Sequence, residues 1–322
     1  GLALEKDTLH PRIGVSFGSA LGGIADAEVH HARFLAEGLK TVPRALALQI
    51  YGGSTHSNIS IHYGLQGPAT THSNSCASGN VALGDALRLI RDGLADVVIA
   101  GASESPLSPL TYTAFDLIHT MSRWQGEPVS AACRPFDHAR DGFVMGEGAA
   151  CFVVESLAHA QARGARIYAE LAGYSLMSEA HHMTIPRPDG EPLRRAMRSA
   201  MADADVQPQE VDYINAHASS TPQNDANEAA QIAAVFGESA PPVSGTKAYT
   251  GHALGAAGAM ECAISLLAME HGWLPPTLHL EATDCAKLDY VPNHGREAKV
   301  DTVLSNSFGF GGVDSCLVMR KI

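Results

Sequence analysis

At 322 residues the chain is long enough for two domains or one large doubled α/β unit. Its 45% hydrophobic and 17% charged residues, with 31 glycines, describe a compact globular protein rich in tight turns and exclude a disordered one. A formal net charge of −12 argues against non-specific nucleic-acid binding, and no Lys/Arg run marks an anionic membrane surface.

No apolar run approaches the roughly 18 residues that span a bilayer, and the N-terminus has no basic-then-apolar signal pattern, so a soluble, cytoplasmic protein is expected. The six cysteines, Cys76, Cys133, Cys151, Cys262, Cys285 and Cys316, include no C-x-x-C pair. Neither a metal site nor a disulfide framework is expected, and a reducing compartment fits them.

In chain order, residues 12–18 read as a short buried strand ending in a glycine turn, and residues 24–38 and 44–62 as helices or helix-rich connections. Asn74-Ser75-Cys76-Ala77-Ser78-Gly79 then opens a helix-like run through Val81, Leu83, Ala86, Leu87 and Ile90 to a stop at Gly93. Cys76 is thereby expected at a helix N-terminus, where free N–H groups and the helix dipole lower a thiol's pKa and hold an oxyanion. Alone the stretch leaves two readings open, since a cysteine among small residues is also a common buried, inert side chain.

Residues 96–101 form an apolar strand of parallel-sheet type, and residues 103–148, rich in Pro, Ser, Gly and Arg, form a long excursion suited to a functional or interface role. The sheet resumes at 149–155, followed by a short helix at 157–163. Strands at 167–173, 211–216, 243–246 and 303–307 then alternate with helices at 193–204, 224–236 and 256–270. The last helix is small-sided (Ala256, Ala257, Gly258, Ala259) and suited to close packing between layers. Two βα-rich halves, residues 1–160 with the nucleophile cysteine and 161–322 with the histidines, form one continuous body.

His217, in Asn215-Ala-His-Ala-Ser-Ser-Thr-Pro222, follows directly on a strand, and His252, in Thr246-Lys-Ala-Tyr-Thr-Gly-His252, lies between a strand and a helix. Strand C-terminal ends are where open α/β sheets place their sites. With Cys76 in Asn-Ser-Cys-Ala-Ser-Gly, Lys247, and Asn306-Ser-Phe-Gly-Phe-Gly-Gly312, these motifs together resemble the β-ketoacyl-acyl carrier protein synthases. Arg134-Pro-Phe-Asp137, Arg140 to Gly148 and Ala180-His-His-Met-Thr-Ile-Pro186 are similar as well, the last to the chain-elongating type II members. Several separated motifs in one order are far more specific than any single one.

The resemblance implies a thiolase-like α/β fold, two similar βα halves stacked as αβαβα layers and working as a homodimer. It implies a decarboxylating Claisen condensation without a resident cofactor, the substrates riding on the phosphopantetheine of acyl carrier protein. Cys76 would be the nucleophile, with its own N–H and that of Phe310 as the oxyanion hole, and His217 and His252 would hydrogen-bond the forming enolate. Lys247, anchored by Glu261, would shape the electrostatics or serve only as a structural ion pair. Ser219 and Thr221 would hold the pantetheine arm, and Phe308, Gly309 and Phe310 would gate the acyl tunnel.

Ser75, Ala218, Ser219, Val313 and Asp314 depart from the family pattern, which bears on substrate preference. By the resemblance, about 80 to 90 residues, including a first strand taken as central, are expected ahead of Gly1, and lack of such a strand would expose sheet edges. Two other readings stand beside the condensing enzyme: a silent partner like the chain-length factors, which typically lack the cysteine, and a Cys-His thioester hydrolase, which has no use for a second histidine. Arg123 and Arg134 are expected to form a local basic patch that docks the acidic carrier protein.

Overall fold

The computed structural model describes residues 2, 4 and 8–322. Its first half holds strands β1 (Ile13–Gly18), β2 (Ala69–His72), β3 (Val97–Glu104) and β4 (Gly148–Glu155) in the order β2-β1-β3-β4. β1 is parallel to β2 and β3, whereas β3 and β4 are antiparallel. The second half follows the same plan with β5 (Glu170–Ser178), β6 (Tyr213–Asn215), β7 (Val243–Ser244), and, beyond the two-residue strands β8 (Trp273–Leu274) and β9 (Arg296–Glu297), β10 (Thr302–Gly309) and β11 (Val313–Arg320). Its order is β5-β11-β10-β6-β7, with β6 parallel to β7 and β10, and β10 antiparallel to β11.

Superposing the two orders makes β2-β1-β3-β4 the counterpart of β7-β6-β10-β11, so β5 is the strand without an equivalent in the first half. β4 is therefore the edge strand of the first sheet, where Cys151 and Val153 are exposed, and the sheet is continuous at its centre, where an interruption was expected. β1 and β3 are direct neighbours over six residue pairs, which leaves no gap between them.

The helices are α1 (Ile24–Glu37), α2 (Leu46–Ile50), α3 (Ser54–Tyr63), α4 (Ser78–Arg91), α5 (Pro109–Leu117), α6 (Leu157–Ala162), α7 (Glu191–Asp203), α8 (Pro222–Phe236), α9 (Lys247–Thr250) and α10 (Ala257–His271). The central layer is α4 with α10, held between the sheets: Leu83, Ala86 and Leu87 of α4 and Cys262, Ala268 and Met269 of α10 share one core with Val98 and Ala100 of β3 and Val303, Leu317 and Met319 of β10 and β11. On the outer face of the second sheet, Leu193, Met197 and Ala200 of α7 and Ala229 and Ile232 of α8 cover Ile214, Leu304 and Val318.

The expected close packing of the 256–270 helix is present. A Cβ on Gly79 would lie 2.6 Å from the Ala259 nitrogen, and one on Gly258 would lie 2.7 Å from Asn80 Oδ1, so only glycine lets the two helix starts meet. This contact brings the front ends of α4 and α10, and the turns that precede them, to one place.

The helix-rich 44–62 stretch forms two helices parted at Tyr51-Gly52-Gly53. Other elements differ from expectation: β2, α9, β8 and β9 were not anticipated, and the strand expected at 167–173 runs instead from Glu170 to Ser178, because pairing with β11 sets its extent (Glu170 opposite Arg320, Ser178 opposite Val313). β11 itself was not anticipated, although Gly311 and Gly312 at φ +86° and +68° form the tight turn that folds it back on β10. The excursion from 103 to 148 clamps onto the second half, with Phe136 N–H donating to Asp225 and Asp137 accepting from Glu281 N–H.

Candidate active site

Cys76 sits in a 3₁₀ turn, Ser75–Ala77, between β2 and α4. The turn is bent sharply, Ser75 having φ 53°, and it is tied by Ser78, whose hydroxyl donates to Ser75 O (2.6 Å) and accepts from Asn74 N–H (2.9 Å). Lys247 and His252 occupy the equivalent connection of the second half, between β7 and α10, and His217 follows β6. The pseudo-symmetry that duplicates the sheets thus brings two front ends together, one carrying the thiol and the other the lysine and an imidazole.

His217 and His252 are both buried, their rings edge to face at 5.4 Å between centroids. The His217 turn is fixed by Glu228 of α8, whose two oxygens accept from the N–H groups of His217 (2.9 Å) and Ala218 (2.8 Å) while Asn306 donates to it from β10. Ala218 occupies φ 41°, a left-handed conformation that its Cβ resists, in the turn Glu228 holds. His252 is pinned by the long excursion, donating its N–H to Val144 O (2.7 Å) and accepting from Gly146 N–H (3.0 Å), and its Nδ1 is buried without a partner.

Lys247 is buried, and its ammonium donates to Glu261 and to the carbonyl of His217, standing 3.5 Å from His217 Nδ1. Burial and the Lys247 charge hold both imidazoles well below their ordinary pKa, His252 adding to the effect on His217. Both rings are therefore neutral near pH 7, each with one N–H to donate. Burial pushes Glu261 up to about 7 against the pull of Lys247.

The thiol departs from expectation. Burial raises the Cys76 pKa, outweighing the Ser75 hydroxyl (3.7 Å), the Lys247 charge and the Phe310 N–H directed at the sulfur. The resting group is a neutral thiol because its surroundings are apolar: Met121, Phe143, Met145 and Leu254.

Phe308, Gly309 and Phe310 close the site from β10 and its turn, Phe308 lying 5.7 Å from the His217 ring and Phe310 stacked on Phe115 at 6.3 Å. A Cβ on Gly309 would stand 2.9 Å from Asn74 O and 3.2 Å from Cys76 N. Gly309→Ala is thus expected to displace the Phe310 N–H and slow acylation of Cys76 about tenfold, roughly 1.4 kcal/mol, with the sheet intact. A stopped-flow acylation rate equal to that of the parent would contradict it.

Ser219 and Thr221, hydrogen-bonded to each other (2.9 Å), line the same pocket as Cys76, His217, His252 and Phe310. Arg123 lies exposed beside His119 (2.9 Å), a residue of the pocket wall. Arg134 does not join it: the side chain is buried, stacked 3.8 Å over Trp124 and paired with Asp137 (3.6 Å), so its charge is spent inside the protein.

Among the buried carboxylates that were not singled out from the sequence, two hold backbone turns at the site. Glu228 is one, and Asp225, Glu228, Ile232 and Phe236 all lie on the buried side of α8, so acids on an apolar stripe were the available signal. Glu104 is the other, accepting from Ala20 N–H, Leu21 N–H (3.2 Å), Ser19 (3.1 Å) and Gly255 N–H (3.1 Å), which ties the two halves beside the thiol.

The family profiles described as beta-ketoacyl synthase, N-terminal domain and beta-ketoacyl synthase, C-terminal domain match residues 2–160 and 168–281. The chain belongs to the β-ketoacyl synthase family. Among curated relatives of this synthase, the 3-oxoacyl-[acyl-carrier-protein] synthase 2 of Coxiella burnetii (strain RSA 493 / Nine Mile phase I) is 43% identical over 320 residues, 98% of this chain and 77% of the relative. The protein of the same name from Staphylococcus aureus (strain N315) is 40% identical over 319 residues, again 98% of this chain and 77% of the relative.

Among solved structures, a type II polyketide ketosynthase in complex with its acyl-carrier protein and bound to the hexaketide, AntDE:AntF, has a TM-score of 0.94 at 38% identity, covering 97% of this chain and 78% of that one. A beta-ketoacyl synthase from Burkholderia phymatum STM815 has a TM-score of 0.90 at 36% identity, covering 98% and 77%. The thiolase-like fold is thereby established. Among the described residues no helix is long and apolar enough to cross a membrane.

Proposed function

We propose that this synthase elongates an acyl chain held on Cys76 by decarboxylating condensation with malonyl-acyl carrier protein, giving the 3-oxoacyl product. The observation that carries the reading is the convergence of one thiol and two neutral imidazoles on a single pocket, with a buried lysine behind them. A hydrolase needs only one imidazole, oriented to take the thiol's proton. A silent partner subunit needs none of the set.

In the first half-reaction the Cys76 sulfur forms a bond to the acyl carbonyl carbon, the bond to the pantetheine sulfur breaks, and the thiol proton leaves with the departing thiol. The tetrahedral oxyanion is received by the N–H groups of Cys76 and Phe310. In the second, the malonyl carbon–carboxylate bond breaks, CO2 leaves and its electron pair stays behind as an enolate; the enolate carbon then bonds to the acyl carbonyl carbon, the C–S bond to Cys76 breaks, and the departing thiolate takes a proton from solvent to restore the thiol. The neutral N–H groups of His217 and His252 stabilise that enolate oxygen, while burial and the Lys247 charge keep both rings from protonating. Ser219 and Thr221 hydrogen-bond the pantetheine arm at the pocket wall. No resident cofactor enters either step, and the enzyme works as a homodimer in the cytoplasm.

The test is direct: with acyl-acyl carrier protein the mass of the peptide carrying Cys76 rises by one acyl group, and malonyl-acyl carrier protein then yields CO2 and the 3-oxo product. Release of free acid without carbon–carbon bond formation would establish the hydrolase instead.

Carrier-protein docking rests on Arg123, because the protein is acidic overall and the attraction has to be local. Arg123→Glu is expected to raise KM for the carrier protein about tenfold while leaving reaction with a short pantetheine thioester unchanged. Equal loss with both substrates would remove Arg123 from the docking surface.

A further inference from the structure

Beneath the Phe308–Gly312 loop lies a carboxyl that the condensation does not use. Asp314, the second residue of β11, is 1% exposed, and its Oδ2 is buried without a hydrogen-bond partner. Glu179, just past the end of β5, is 4% exposed and is tied to the loop through its own backbone: Glu179 N–H donates to Gly312 O (2.8 Å), and Gly311 N–H donates to Met183 O (2.7 Å). A Cβ on Gly312 would lie 2.9 Å from Glu179 Cβ, so the loop rests directly on this acid. A buried oxygen with no partner is costly as a carboxylate and tolerable as a carboxylic acid.

We propose that Asp314, together with Glu179, is a proton-dependent positioning residue for the Phe308–Gly312 loop, the docked loop holding one proton that the lifted loop releases to solvent. The groups facing Asp314 are Glu179, Glu228 of α8 and Arg195 of α7, with Cys316 further along its own strand. His181, Arg187 and Asp189 surround Glu179, whose carboxylate also accepts from Arg187 N–H (2.9 Å).

Burial, with the charges of Glu179 and Glu228, pushes Asp314 up to about 8, while Arg195 opposes the shift. Lifting the loop would admit water and return the group to about 4, the ordinary value for an aspartate. The sign follows. Below about pH 4 both states hold the proton, between about 4 and 8 only the docked state does, and above about 8 neither does. Docking weakens by up to about tenfold per pH unit across that window and levels off beyond it. What docking accomplishes rests on the proposed function, in which the docked loop supplies the Phe310 N–H.

Hydrogen exchange, corrected for intrinsic rates and followed from pH 6 to 9 in the whole protein, tests it. Protection of peptides covering residues 308–312 is expected to fall by up to about tenfold per unit from pH 6 to 8 and then level off, with peptides from the far end of β11 unchanged. Asp314→Asn and Asp314→Leu should both give flat profiles for the loop. A flat wild-type profile, an Asn or Leu variant that follows the wild type, or a parallel fall in β11 overturns the proposal. Should one variant fail to fold, the wild-type profile and the other variant still decide. Cys76 acylation rates in the same samples separate the two readings: a proton-dependent loop whose docking leaves acylation untouched would refute the role of Phe310 and not the proton coupling.

Discussion

Cys76→Gln is expected to abolish acyl transfer while malonyl decarboxylation continues. No other thiol is placed to replace it: Cys133, Cys262 and Cys316 are buried away from the pocket wall, with burial pushing Cys133 and Cys262 up to about 12, and the more accessible Cys151 and Cys285 do not line the pocket. Decarboxylation requires hydrogen bonds to an enolate and no covalent adduct, so the glutamine amide removes one half-reaction and spares the other. The readouts are the mass of the Cys76 peptide after incubation with acyl thioester and CO2 release from malonyl thioester. Loss of both activities in a folded variant would reassign the histidines as bases for the thiol.

His252→Ala is expected to show the reverse pattern, with Cys76 still acylated and decarboxylation reduced by about 10² to 10³, or about 3 to 4 kcal/mol, the scale of one lost oxyanion donor. Lys247 and burial keep this ring neutral, so wild-type decarboxylation should hold steady as pH falls through 6.5, the ordinary imidazole value, and decline only well below it. An acid limb centred at 6.5 would mean that the rings are not held neutral. A His252→Ala variant that loses acylation as fully as decarboxylation would show that His252 serves the thiol.

The candidate site residues stood out because the turns that carry them demand particular neighbours. A nucleophile placed at a strand-to-helix turn needs small neighbours, which Ala77, Ser78 and Gly79 supply, and the loop that approaches it needs Gly309, where a side chain would strike Asn74 O. The order of Cys76, His217, Lys247 and His252 along the chain likewise carried the resemblance. β11 was not legible because it exists as a strand only where the Gly311-Gly312 turn folds it back on β10, and the extent of β5 is set only by its pairing with β11.

By itself the sequence determined the two βα halves, the position of the thiol ahead of its helix and the placement of His217 at a strand end, all of which follow from local periodicity and turn chemistry. Only the tertiary structure decided how these groups behave, since pKa and accessibility depend on residues far away in the chain. It made Cys76 a resting thiol through Met121, Phe143, Met145 and Leu254. It kept the imidazoles neutral through burial and the Lys247 charge, anchored the His217 turn on Glu228, and drew Arg134 inward onto Trp124. Desolvation and long-range pairing are properties of packing, and no local stretch of sequence encodes them.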